Sequence, residues 1–227
     1  MSAAFISVEG IDGSGKSTQL QMLAEALRGR GRIVVTTREP GGTALGTRLR
    51  AALLDAQEQV DPLAELLLYA ADRAQHVRRL VRPALDAGQI VLTDRYADAT
   101  RAYQGAGRGF APELIDEVIA IATGGLQPDL TLLFDLSVER GRERTHRRAH
   151  GGVQVGDRLD SEDAAFRQRV REAYLRLAER EPARVHVFDA SLSAEATHAE
   201  VLAVVLPFLA NLEQSAERPG TTVEATR

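Results

Sequence analysis

The chain has 227 residues, 44% of them hydrophobic and 26% charged, enough for one large domain with a substantial core. A formal net charge of −4 gives no general attraction to nucleic acid, and the lack of cysteine rules out disulfides and thiolate zinc sites. No signal peptide, internal repeat or apolar run of the roughly 20 residues that span a bilayer is apparent, so a cytoplasmic chain with no nucleic-acid or membrane partner is expected.

Phe5 to Glu9 reads as a short apolar strand that runs straight into Gly10-Ile11-Asp12-Gly13-Ser14-Gly15-Lys16-Ser17. Leu20, Leu23 and Leu27 then share one face of a helix. Ile33 to Thr37 is a second strand, and Pro62 to Leu85 a long helix that Pro83 ends or kinks. Ile90 to Thr93, Leu130 to Phe134 and Val185 to Phe188 are three more strands. Their nearly continuous apolar character suits burial on both faces of a parallel sheet. Leu202, Val205, Leu206, Leu209 and Leu212 mark a last helix. Residues 214–227 are polar, carry Pro219 and Gly220, and are expected to form a disordered tail after a single domain over residues 1–213. The alternation predicts an α/β, doubly wound fold: a mostly parallel, five-stranded sheet with helices on both faces. Ligands in such folds bind beyond the carboxyl ends of the strands.

The segment from Gly10 to Ser17 fits G-x-x-x-x-G-K-[ST], with a strand before it and a helix after it, as a phosphate-binding P-loop requires. Its glycines let backbone N–H groups curl around an anion at a helix N-terminus. Lys16 is the only lysine among the 28 Lys and Arg residues. A compact ammonium fits among phosphates where the wide guanidinium fork does not. The motif assigns Gly10 through Thr18 to ATP, Lys16 to its β- and γ-phosphates and Ser17 to Mg²⁺. With one lysine, the chain has no N-K-x-D guanine motif, and a short chain that is not basic does not suit a helicase-type motor. A small P-loop kinase of the nucleoside-monophosphate sort remains.

Four further segments resemble the bacterial thymidylate kinase family: Arg38-Glu39-Pro40-Gly41-Gly42-Thr43, Tyr69-Ala70-Ala71-Asp72-Arg73, Asp94-Arg95-Tyr96 and Ala102-Tyr103-Gln104-Gly105. Asp157-Arg158-Leu159-Asp160 looks like the end of that family's lid, which would span about residues 140–160. The resemblance implies a P-loop NTPase fold, transfer of the γ-phosphoryl of ATP to dTMP, Mg²⁺ and a homodimer. It implies that Arg95 clamps the acceptor phosphate and that Asp94 lies near the metal. Tyr69 takes the place of the family's stacking aromatic, usually Phe, and Arg73 that of the arginine on thymine O4. Thr100 and Gln104 fall where the family touches base and sugar, and Tyr103 packs under the sugar and disfavours a 2′-OH. Glu9 stands where an acid approaches the metal or the 3′-OH. Glu39 and Pro40 would form a turn near the metal and acceptor phosphate. Arg50, on the next helix, either reaches that phosphate or is solvated.

No residue at the variable positions of the P-loop is basic, so a lid arginine is expected to meet the transferring phosphoryl group: Arg158 first, then Arg148 and Arg144, the last also a candidate for the adenine. His76, His146, His150, His186 and His198 show no zinc spacing and read as surface or packing residues. Two other readings stay open. One is a related P-loop kinase for another nucleotide, or for a deoxynucleoside with Glu39 as general base for its 5′-OH. The other is a nucleotide-binding regulator without turnover.

Overall fold

The computed structural model describes residues 2–54, 59–150 and 162–217, the side chains of 148–150 and 216–217 excepted. Five strands, β1 (Ala4–Glu9), β2 (Val34–Arg38), β3 (Ile90–Asp94), β4 (Leu130–Asp135) and β5 (Val185–Asp189), form one parallel sheet in the order β2-β3-β1-β4-β5. The helices are α1 (Lys16–Arg28), α2 (Ala44–Leu54), α3 (Pro62–His76), α4 (Arg82–Asp86), α5 (Ala97–Thr100), α6 (Pro112–Thr123), α7 (Val138–His150), α8 (Ala164–Arg180) and α9 (Ala194–Glu217). This is the doubly wound architecture expected from the alternation.

Strand periodicity sorts β1 between two cores. Ala4, Ile6 and Val8 pack with Leu23 and Leu27 of α1 and Val201 and Val205 of α9. Phe5 faces the other way, onto Leu66 of α3, Tyr96 and Ile115 of α6. The central position of β1, between β3 and β4, carries the P-loop to the middle of the sheet's carboxyl edge. Asp94 and Arg95 leave β3 beside it.

The long helix begins as expected. Asp61 caps it, its Oδ1 accepting from Leu63 N at 2.9 Å and Ala64 N at 3.3 Å, and Pro62 occupies the first turn, where a missing N–H costs nothing. Pro83 neither ends nor sharply breaks it. Instead Val77–Val81 widen into a π-helical turn, with Arg82 N donating to Val77 O, before α4 resumes. The wider turn absorbs the bond that proline cannot make. A second π-helical turn, Arg101–Gly107, follows α5.

Two expectations are revised. α9 runs to Glu217, past the start of the expected tail, and Arg32 pairs with Glu213 near its end. Residues 218–227 lie outside the described ones. Among the described residues α9 is also long and apolar enough to cross a membrane by length and composition, an 18-residue window within Ala194–Ser215 reaching a mean hydropathy of 1.2. The sequence reading overlooked it because Glu195, Glu200 and Pro207 interrupt the run. In the fold, Val201, Val205 and Leu209 of this helix are buried against α1.

Candidate active site

The P-loop bends through three glycines with positive φ: Gly10 at 141°, Gly13 at 84° and Gly15 at 85°. At Gly10 and Gly13 a side chain would also collide, with Phe134 O in the first case and with Gly141 O in the second. Gly141 thus lets α7 lie directly on the P-loop, and Arg144, one turn on, donates from Nη1 to Gly13 O at 3.3 Å. Arg144 therefore borders the P-loop. Arg158 lies outside the described residues, as does the side chain of Arg148.

Lys16 Nζ donates to Asp12 Oδ1 at 3.2 Å. Arg95 Nη2 donates to the same oxygen at 2.7 Å, to Tyr103 OH at 2.9 Å, and Nη1 to Tyr174 OH at 3.3 Å. Burial alone would raise the Asp12 carboxyl, but the Arg95 and Lys16 cations outweigh it and hold it well below the usual carboxylate range. Arg95 adopts φ 72°, a conformation that L-residues avoid. It is pinned there by its N–H on Val8 O at 3.0 Å and by Thr93 Oγ1 donating to its carbonyl at 2.9 Å. Strain of this kind costs on the order of 1–3 kcal/mol and persists where surrounding contacts fix it.

Ser17 Oγ donates to Asp94 Oδ2 at 2.6 Å. A hydroxyl and a carboxylate side by side next to a phosphate loop form the kind of hard-oxygen donor set that suits Mg²⁺. Glu9 does not join them, contrary to expectation. It is fully buried, with Oε1 accepting from Tyr96 N and Oε2 from Tyr174 OH, both at 2.7 Å. Burial, reinforced by Asp98 and opposed by Arg95, raises its carboxyl to about 8. Both oxygens are engaged inside the protein, so Glu9 is withdrawn as a metal ligand.

Beside Arg95 an open cleft is lined by Glu39, Tyr69, Arg73, Thr100, Tyr103 and Gln104. Residues from three separate segments of the chain thus share one site. Arg73 is buried, donating from Nε to Glu39 Oε2 at 2.8 Å, from Nη1 to Thr100 Oγ1 at 2.8 Å and from Nη2 to Tyr96 O at 3.0 Å. Three of its five N–H groups are used, which fixes the fork and leaves two donors. The Arg95 guanidinium lies 4.7 Å from the Tyr103 ring centre. Arg50 Nη1 donates to Pro40 O at 3.0 Å, so Arg50 shapes the turn at Glu39 and Pro40 rather than standing in solvent.

A family model described as "Thymidylate kinase" matches residues 8–201. A thymidylate kinase of Gloeobacter violaceus is 50% identical over 214 residues, covering 94% of this chain and 100% of its own. One of Deinococcus radiodurans is 49% identical over 201 residues, covering 88% and 95%. The crystal structure of thymidylate kinase from Ehrlichia chaffeensis superposes with a TM-score of 0.72 at 35% identity, covering 90% of this chain and 99% of that one. The chain belongs to the thymidylate kinase family.

Sequence reasoning missed several residues of this thymidylate kinase site. His76, read as ordinary, is buried, its Nδ1 2.7 Å from Glu39 Oε1 and its Nε2 2.7 Å from Thr37 Oγ1. Its spacing of three from Arg73 and seven from Tyr69 on one helix was the available signal. Tyr174 supports both Arg95 and Glu9 from α8. Asp72 is buried, accepts from Gly41 N at 3.2 Å and is raised to about 6 by burial and by Glu39. On α5, Asp98 accepts from Arg184 Nη1 at 2.7 Å and from Thr131 Oγ1 at 3.2 Å.

Proposed function

We propose that the chain carries out its family's reaction, giving dTDP and ADP from ATP and dTMP, with the residues gathered at the heads of β1 and β3. The P-loop amides and Lys16 hold the β- and γ-phosphates, and Arg144 borders the nucleotide. Arg95 clamps the acceptor phosphate. Tyr69 and Arg73 bind the thymine face and edge, Thr100 and Gln104 the base, and Tyr103 the sugar. Glu39, Pro40 and Arg50 form the turn under the acceptor phosphate. Ser17 and Asp94 are the oxygen donors that would hold Mg²⁺, whose chemistry is to neutralise charge on the phosphates.

The observation that carries this reading is the Asp12 oxygen shared by Lys16 and Arg95. It sets the donor cation and the acceptor cation side by side, which in-line transfer between two phosphates requires. The attacking oxygen belongs to an ionised phosphate, so no general base is needed. Glu39 suits none: both its oxygens are held, by Arg73 and His76. That favours a monophosphate acceptor over a nucleoside. The P-loop has no cation besides Lys16, so an arginine of the lid, Arg158, Arg148 or Arg144, completes charge neutralisation.

A homodimer is proposed through α3 and α6, which pack together and expose Leu63, Leu67, Leu114 and Ile121. A cytoplasmic protein without nucleic-acid or membrane partners fits its composition. The test is acceptor choice. Turnover of ATP with dTMP and none with thymidine is expected; thymidine as the better acceptor would restore the nucleoside-kinase reading.

A further inference from the structure

Gln104 lies on the π-helical turn along the cleft, and its Nε2 donates to Glu65 Oε1 at 2.7 Å. Glu65, in the first turn of α3, is completely buried. Arg108 holds it with a two-pronged grip, Nη2 to Oε2 at 3.0 Å and Nε to Oε1 at 3.3 Å. Arg108 is itself fixed, by Glu162 at 2.7 Å and by the Phe166 ring, 4.8 Å below its guanidinium.

A carboxylate only accepts, so the atom of Gln104 facing Glu65 must be the NH₂. The amide cannot turn over without setting oxygen against oxygen. Its Oε1 accepts nothing from the described residues and is left to the cleft. The polar edge of the cleft then has a defined polarity: Arg73 can only donate, and Gln104 offers an acceptor. Thymine and uracil present the complement, the O4 acceptor beside the N3–H donor. Cytosine presents the reverse at both atoms, an N4 amino donor beside an N3 acceptor.

We propose that Glu65, clamped by Arg108, is the positioning residue that sets base selectivity: it locks the Gln104 amide with its oxygen toward the acceptor base, so that the cleft takes 4-oxo pyrimidines and refuses cytosine. This rests on the cleft being the acceptor-nucleotide site. Glu65→Gln removes the lock, because the new amide can donate as well as accept and Gln104 can then turn either way.

The experiment measures kcat/KM of wild type, Glu65→Gln and Arg108→Met with dTMP, dUMP and dCMP. In both variants the dTMP:dCMP ratio is expected to fall roughly 10–100-fold, the scale of one buried polar mismatch. The dTMP:dUMP ratio should stay put, since both bases share the same edge. A general loosening of the pocket would lower all three rates and leave the dTMP:dCMP ratio alone, which overturns the proposal. If neither variant folds, the wild type still decides: dCMP bound as tightly as dUMP refutes the locked amide, and weaker binding by at least tenfold supports it. Absence of dTMP turnover in the wild type would instead refute the acceptor-site reading, a separate failure.

Discussion

Asp12 and Arg95 form an ion pair of 2.7 Å that joins the P-loop to the cleft beside Arg95. The aspartate comes from a variable P-loop position and the arginine from the end of β3, 83 residues on. Because the same oxygen takes Lys16, one carboxylate orients both cations. Asp12→Asn keeps the shape and removes the charge that orients them. A fall in kcat of about 10²-fold is expected, the scale of a small misplacement of reacting groups, with the Kd for dTMP changing much less. Steady-state kinetics and calorimetric titration separate the two.

Lys16 is 7% exposed inside the glycine-lined loop. Lys16→Arg keeps the charge, but the planar fork needs more room than the loop offers. A loss of kcat on the order of 10²-fold or more is expected. Near-normal turnover by Lys16→Arg would show that charge alone, not the compact ammonium, is what the loop selects.

Much of this was legible because it is local. The P-loop, Asp94 and Arg95, and the pair Tyr69 and Arg73 are contiguous or spaced by one helical turn, and the strands announce themselves by apolar runs. What escaped depends on partners far apart in sequence. Tyr174 meets Glu9 across 165 residues, and Arg184 meets Asp98 across 86. The partners of Glu9 escaped for the same reason: the resemblance put an acid there near the metal or the 3′-OH, and only the fold shows Tyr96 N and Tyr174 OH on its two oxygens.

Glu9 makes stability depend on pH. Its carboxyl rises from 4.5 to about 8 on folding, so between those values the folded state keeps a proton that the unfolded chain has released. Its contribution is full below 4.5 and is lost as pH rises toward 8, with a slope of up to roughly 1.4 kcal/mol per pH unit. Glu9→Gln keeps an acceptor for the Tyr96 amide and cannot ionise. Melting temperatures from pH 6 to 8 should fall less steeply in the variant; parallel curves would mean that Glu9 does not carry the dependence.

Asp98 is 2% exposed and is the main counter-charge of Arg184. Asp98→Ala takes from a partly buried arginine its buried partner and leaves it only the more exposed Glu181, 2.7 Å away, a change that costs on the order of 3 kcal/mol or a drop in Tm of about 6–12 °C. Thermal unfolding of the variant measures it. A shift below 2 °C would mean that Arg184 is satisfied by Glu181 and water.

The central claim is that the cleft beside Arg95 receives dTMP and passes it a phosphoryl group from ATP on the P-loop. The direct test is release of ADP from ATP and magnesium in a coupled assay, run with each nucleoside monophosphate in turn. The account predicts rapid turnover with dTMP, slower turnover with dUMP, and little with AMP, GMP or CMP. Turnover of any of those three equal to or better than dTMP, or no ADP release on adding dTMP, would contradict it.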